Sequence, residues 1–519
     1  MSNDFTPGVL IGLAWYYVLA SALNAAAASR VAFLEMVSEG ASRDGLGPRT
    51  RRLPEWLVAA FLGLYAVALL LIPARHALPR AMEAAFLLCA LANVLAALVA
   101  AAGAIRHHSK SEDGPTLDDH IPALGLGGPI NRTLWTLVWS ACAIGFQAMG
   151  LVYFLGETVA LPRAFRDAVN AAAGPTTFFV GSTLLFVLMI WGRRVAATGH
   201  FGWSLVNLTL LFFGLSMTDA NFREIVTKAD NVPIVGLMAL VGFFTWLSMR
   251  RAVINDARHQ AGLPVLEELE PEKTLTWPDL VYIELICMVF LTITLVVWAV
   301  ALPAPLEQPA SSTVAPNPSK APWYFLGLQE MLVYFDPWLA GVVLPSLIVF
   351  GLMAMPYIDK NPEGVGYYTI ERRKFAYVAF QFGFLVLWLV LILLGTFLRG
   401  PNWNFFGPYE YWDPHKLIPL NNVDLSDIFW VQIMGRAKPE SIALREAPGL
   451  LLTALYFLIT PILLWRFFFR KYVERAGVVR YLILAMLLLF MAALPIKMIL
   501  RWTINLKYLV AIPEKFFNI

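Results

Sequence analysis

One run constrains this chain more than any other. From Val281 to Ala301 the sequence carries a single charge, Glu284, in an otherwise apolar stretch. About twenty such residues cross a bilayer as a helix. About twelve candidate spans of this kind can be counted. They centre near Leu19, Tyr65, Leu91, Ala143, Leu184, Leu210, Leu240, Phe290, Ile348, Val386, Phe457 and Leu487, with the sixth the shortest. The chain has 519 residues, 59% of them hydrophobic and 14% charged. That composition belongs to polytopic membrane proteins rather than soluble enzymes. The expected fold is therefore an all-α integral membrane protein of about twelve transmembrane helices. A net charge of +3 gives no reason to expect nucleic acid as a partner.

Charge divides the chain and orients it. Between about Arg250 and Thr276 lies a polar stretch with Pro264, Glu267, Glu268, Glu270, Pro271 and Glu272. The expected organisation is a region 1–250 of about seven spans, a charged cytoplasmic linker 251–276, and a region 277–519 of about five spans. More than half of the 39 Lys and Arg fall in the loops on one side of this topology, among them Arg49, Arg51, Arg52, Arg372, Arg373 and Lys374. The positive-inside rule makes that side cytoplasmic and puts both termini on the opposite, outer side. No cleavable signal peptide is evident, because the first apolar segment lacks a basic lead-in and a small-residue cleavage site.

The residues that carry redox chemistry are sparse. The three cysteines, Cys89, Cys142 and Cys287, sit in apolar segments and read as packing residues, and no CxxCH occurs. A b-type haem between helices needs facing histidine ligands. None of His76, His107, His108, His120, His200, His259 and His415 lies convincingly in mid-span. The chain is expected to ligate no haem and no metal, with His415 the histidine least easily dismissed. Glu284 is either a proton-path residue or a paired structural group. Glu157 and Asp219 read as solvated groups at span ends.

Residues 320–337 read KAPWYFLGLQEMLVYFDP. An amphipathic surface helix is expected near 321–335, with Trp323, Leu326, Glu330 and Tyr334 near one face. Such a helix, aromatic and with one carboxylate, suits a flat apolar ligand that releases protons. The plainer reading is an interfacial aromatic anchor. Before it, residues 302–319 are proline-rich and read as an extended strap. After it, the loop 399–448 is long and aromatic enough to be an ordered cap.

From about Trp277 onward the chain resembles the C-terminal half of cytochrome b, the part that forms a separate subunit IV in some complexes, and most of all bacterial menaquinol-oxidising bc types. The resemblance rests on Trp277-Pro278-Asp279, Pro303-Ala304-Pro305-Leu306, Ala321-Pro322-Trp323-Tyr324, Asp336-Pro337-Trp338, Pro356-Tyr357-Ile358-Asp359 and Arg399-Gly400-Pro401-Asn402-Trp403. It implies a quinol-oxidation pocket on the positive side of a bacterial inner membrane. Pro322, Trp323, Tyr324, Phe325, Leu326 and Tyr334 would bind quinol. Haem b, haem c and an iron–sulfur cluster would sit on partner subunits: a dihaem cytochrome b, a c-type cytochrome and/or a Rieske protein, in a hetero-oligomer that could itself be dimeric. The family pattern often has glutamate before Trp-Tyr as the proton acceptor. Pro322 stands there, so Glu330 is expected to take that role. Region 1–250 has no equally specific resemblance. The competing readings are a twelve-span secondary transporter and an anchor subunit without a working quinol site.

Overall fold

A computed structural model describes residues 7–40, 129–268, 275–301, 309–313, 315–359, 369–418 and 421–519. The spans expected near Tyr65 and Leu91, the strap residues 303–306, linker residues 270–273, Cys89 and four histidines (His76, His107, His108, His120) lie outside the described residues. The helices are α1 (Pro7–Gly40), α2 (Pro129–Phe154), α3 (Arg163–Ala172), α4 (Pro175–Trp191), α5 (Gly199–Ser216), α6 (Ala220–Thr227), α7 (Val232–Gln260), α8 (Val281–Ala301) and α9 (Trp323–Met331). Four long helical segments complete the order: α10 (Leu339–Ile358), α11 (Lys374–Leu398), α12 (Ala447–Ala476) and α13 (Val478–Ile504).

Among the described residues, eight helices are long and apolar enough to cross a membrane. The number becomes ten if two bent pairs each count as one span: α3 with α4 at 89°, and α5 with α6 at 112°. The expected spans near Leu184 and Leu210 fall on these bent pairs. Both breaks are local in origin. Gly174-Pro175 separates α3 from α4. Asp219 caps α6, its Oδ1 accepting from the Asn221 and Phe222 amides at 3.0 and 3.1 Å. Asp219 is thus a buried helix cap (6% exposed), not the solvated end group expected. The polar stretch after Arg250 is helical at its start. α7 continues through it to Gln260, because no helix breaker intervenes before Gly262, whose φ is +72°.

The described chain forms two compact units interleaved along the sequence. The first comprises residues up to Phe165, Gly192–Arg223 and Phe244–Leu263. Its centre is the seam of α1 and α2. A Cβ at Gly150 would lie only 3.2 Å from the Ala14 carbonyl, so the two backbones approach closely where glycine permits it. Tyr17 stacks on Tyr153 at 5.5 Å. Polar side chains tie α1 to both neighbours: Asn24 donates to Asn207 Oδ1 and accepts from the Trp203 indole of α5, and Ser21 donates to the Ala143 carbonyl of α2. In an apolar surround such groups must find partners. His200 stacks on Trp135 at 4.5 Å.

The second unit holds Arg166–Trp191, Glu224–Phe243 and Pro264–Ile519. Its apolar core gathers Met331, Tyr334 and Phe335 below α9, Leu339 of α10, Leu391 and Leu394 of α11, and Met498 of α13. α9 beds on α11 through small residues. A Cβ at Gly395 would lie 3.2 Å from the Leu326 carbonyl, and one at Gly327 3.3 Å from Ile392. α8 stands apart, with none of its residues buried, Glu284 included. The segment after α13 folds back as a small antiparallel pair, β1 (Ala511–Ile512) with β2 (Phe517–Asn518). The Ala511 amide donates to Glu446 Oε2 at 2.9 Å. A Cβ at Gly449 would fall 1.8 Å from the Leu509 carbonyl. Gly449→Val should therefore unseat residues 505–519. Limited proteolysis in detergent should cut this segment faster than in wild type. An unchanged cleavage rate would mean the close approach does not form.

Candidate functional site

The helix in 320–337 is shorter than its hydrophobic pattern suggests. α9 begins after Pro322, whose extended conformation (φ −52°, ψ 148°) suits the cap position, and it ends at Met331. Backbone groups at its end are held from afar: Lys507 Nζ donates to the Leu332 and Val333 carbonyls at 2.8 and 3.1 Å. A cation at a helix C-terminus satisfies carbonyls that would otherwise be unpaired. The start of α9 is held by Gln329. Its Nε2 donates to the Ser319 carbonyl at 2.8 Å, and its Oε1 accepts from the Ala321 amide at 2.9 Å. Asp336 starts the next helix through its carbonyl, which accepts from the Leu339 and Ala340 amides. Its carboxylate also accepts from Tyr508 and Asn518.

Glu330 is fully buried, and so is Tyr334. The Glu330 carboxylate faces Arg399, which follows the end of α11. Arg399 Nη2 donates to Oε1 at 2.7 Å and Nε to Oε2 at 2.9 Å. The Tyr334 hydroxyl donates to Oε1 at 3.2 Å, and the Trp403 indole to Oε2 at 3.2 Å. Two oxygens thus accept four hydrogen bonds, which uses the acceptor capacity of a carboxylate. Arg399 is engaged on its other edge too, with Nη1 donating to the Trp403 carbonyl at 2.6 Å and the guanidinium 4.0 Å from the Phe405 ring centre. Burial and the adjacent Glu330 charge push the Tyr334 hydroxyl well above its ordinary range, so it stays a neutral donor.

The opposite side of α9 is open. Trp323, Tyr324 and Phe325 are 37%, 51% and 50% exposed, and the Tyr324 and Phe325 rings lie 4.7 Å apart. Of the residues expected to bind quinol, these three and Pro322 are accessible, whereas Leu326 and Tyr334 lie in the core below. The expected common face of Trp323, Leu326, Glu330 and Tyr334 separates likewise. The last three are buried together, and Trp323 turns outward.

The 399–418 part of the cap loop folds around this helix. Asn402 and Trp403 both take positive φ, 57° each. Such conformations are costly for non-glycine residues and persist where the surroundings impose them. For Trp403 the imposing partners are Glu330 and Arg399. Asn402 pairs with Asn317 of the strap, donating through its amide and accepting from the Asn317 side chain. Lys416 Nζ holds the Phe405 carbonyl and Glu410. The Tyr409 amide donates to Asn170 Oδ1 of α3 at 2.9 Å. His415 is exposed, with its amide on Asp413. Sequence reasoning missed Arg399 and Trp403 as site residues. The available signal was an arginine at the end of an apolar span, next to a Gly-Pro-Asn-Trp turn.

Comparison with known proteins places this geometry. Residues 309–407 match the family described as cytochrome b (C-terminal)/b6/petD. The match spans the segment that folds as strap, aromatic helix, α10, α11 and the start of the cap. Over 103 residues the chain is 35% identical to the menaquinol:cytochrome c reductase cytochrome c subunit of Geobacillus thermodenitrificans. That match covers 18% of this chain and 40% of that protein's length. No solved structure matches.

Removing one member of a buried ion pair costs about 3–5 kcal/mol, because the other charge is left uncompensated. Arg399→Gln and Glu330→Gln should each lower stability by about that much, with the second the smaller because a stranded Arg399 keeps the Trp403 carbonyl and the Phe405 ring. Thermal unfolding in detergent, followed by loss of a monodisperse species, tests the order. Equal stability of Arg399→Gln and wild type would show that the pair contributes nothing.

Proposed function

We propose that this chain is a membrane subunit of a bacterial quinol-oxidising, bc-type electron-transfer complex, and that the exposed face of α9 forms one wall of its quinol-oxidation site. The observation that carries this reading is a rigidly held helix whose aromatic residues stand open. Ion pairing, Gln329 and Lys507 fix α9 from below and at both ends. Trp323, Tyr324 and Phe325 project from it within the segment that matches cytochrome b. A flat apolar quinol stacks well on aromatic faces. Menaquinol is the substrate favoured by the relative's name. This chain brings no haem of its own to the reaction, so electrons pass to partners: a dihaem cytochrome b on one branch, and a c-type cytochrome or a Rieske protein on the other. The termini and the aromatic helix lie on the periplasmic side of the inner membrane, as the distribution of basic loops implies.

Glu330 has two roles open to it in this reading. As a brace it stays paired with Arg399 and holds Trp403 and the cap in place. As a proton acceptor it first has to let go of at least one of its four donors. Glu330→Gln separates them. Loss of a general base lowers turnover by about 100-fold or more at every pH with assembly intact. Loss of a brace appears first as lowered stability and loosened inhibitor binding.

The site itself is tested by Tyr324→Ala in membranes carrying the whole complex. An aromatic contact of ~0.5–1.5 kcal/mol corresponds to a turnover loss of a few-fold to about tenfold. Assembly should be unchanged, as judged by co-purification with haem proteins. Full turnover of the assembled variant would leave the aromatic face as a membrane anchor. Purification of the chain alone and colourless would favour a transporter.

A further inference from the structure

Lys320 lies three residues before Trp323, on the strand that leads into the open aromatic face. Its backbone is fixed from both sides, because Gln329 bonds the Ser319 carbonyl before it and the Ala321 amide after it. Its side chain is directed inward. Nζ donates to the Thr396 carbonyl at 2.8 Å and sits 4.7 Å from the centre of the Trp412 ring. The carbonyl is available because Thr396 lies in the last turn of α11, where helix carbonyls have no intrahelical partner. The same two residues carry polar groups of their own. The hydroxyl of Thr396 and the indole N–H of Trp412 are buried without a hydrogen-bond partner among the described residues. An amine has three donor positions when protonated and one lone pair when neutral. Thr396 and the Trp412 face account for two of its directions.

We propose that Lys320 is the proton acceptor of the quinol site, taking the place of the carboxylate that the Ala321-Pro322-Trp323-Tyr324 stretch lacks. The inference rests on the quinol-oxidation reading above. In the step itself a quinol O–H bond breaks. The electron pair stays on the oxygen, leaving a quinolate, and the proton forms a new N–H bond on Nζ, which becomes an ammonium. Electron transfer to a partner follows and is separate. The Thr396 hydroxyl and the Trp412 N–H, unpartnered on the two residues that the amine contacts, are the donors this step would call on. The charged groups facing Lys320 are Lys228 from the turn after α6, Arg399 from the end of α11, and Glu330 from α9. Burial first, then Lys228 and Arg399, bring Lys320 down to about 7, against the smaller opposing pull of Glu330. The amine is therefore protonated and unable to accept below that pH, and neutral and competent above it. Turnover should rise with pH through about 7.

The test is Lys320→Arg in membranes carrying the full complex. Arginine keeps the donor to Thr396 and the cation over Trp412 but does not deprotonate. Turnover should fall about 100-fold or more and lose its rise with pH, while the complex assembles and binds inhibitor as wild type does. A second readout needs no turnover. Acetylation of Lys320 in the intact complex, followed by mass spectrometry, should reach half its limiting rate near pH 7, well below the ordinary lysine value of about 10.4. Retained turnover in Lys320→Arg, or half-reactivity near the ordinary value, overturns the proposal. If Tyr324→Ala is impaired and Lys320→Arg is not, the quinol site stands and Lys320 is structural. If neither is impaired, the site reading fails instead.

Discussion

A buried charge cannot remain ionised in an apolar interior without a partner, and the Glu330–Arg399 pair is where this chain meets that constraint. The two residues are 69 positions apart. One lies inside a short aromatic helix and the other where a long span meets the cap loop. Their pairing fixes the height and rotation of α9 against α11, which Gly327 and Gly395 allow to come close. The left-handed backbone at Trp403 follows from it, because the indole must turn inward to reach Glu330. The direction in which Trp323, Tyr324 and Phe325 point is therefore set from beneath by electrostatics, not by contacts among the aromatic rings.

Segments far apart in sequence converge on the same short helix. Gln329 ties the strap to its start, Lys507 closes its end, and Tyr508 and Asn518 hold Asp336 just beyond. Trp338 adds an indole bond to the Asn518 carbonyl. Nine residues of helix cannot sustain themselves in water or at an interface, so the order of α9 is imposed by these tertiary bonds. Gly449 belongs to the same arrangement although it lies in a different span. Without its bare Cα the returning segment could not approach, and Lys507 would lose its position.

The hydropathy of the chain made its spans legible. Each of the ten expected spans within the described residues has helix at its centre, because a run of apolar residues leaves the backbone no other way to satisfy its polar groups. Where the helices bend was less legible, since the break at Asp219 depends on a side chain choosing to cap α6. The aromatic helix was recognisable from its composition, but its accessible and buried faces were not. Helical periodicity puts Trp323 beside Leu326 and Glu330. It cannot say that the helix stops at Met331 or that a partner 69 positions away draws Glu330 inward. Arg399 and Trp403 were visible only as part of a resemblance, since no local pattern links an arginine at a span end to a glutamate in another segment. Lys320 begins the aromatic stretch but carries no local sign of a role. A lysine before a proline normally signals only solvent, and the groups that bury this one come from α11 and the cap.

Lys320 and Glu330 share one cation. Arg399 lies within bonding distance of Glu330, so most of its charge is spent on a single carboxylate that all but cancels it. What remains acts on Lys320 in the opposite sense, disfavouring a second positive charge nearby. The same guanidinium thereby anchors the carboxylate and helps to keep the amine neutral. The two positions divide the work between them. A carboxylate with four donors is a fixed point around which a loop can be built, and it makes a poor base because protonation would strand Arg399 beside a neutral acid. An amine with a spare lone pair, near neutrality and three residues ahead of the open aromatic run, has the opposite properties. Proline at position 322 does not then leave the aromatic stretch without proton chemistry. It moves that chemistry two residues earlier, to a group whose basic form is neutral and which needs no counter-ion in an apolar setting.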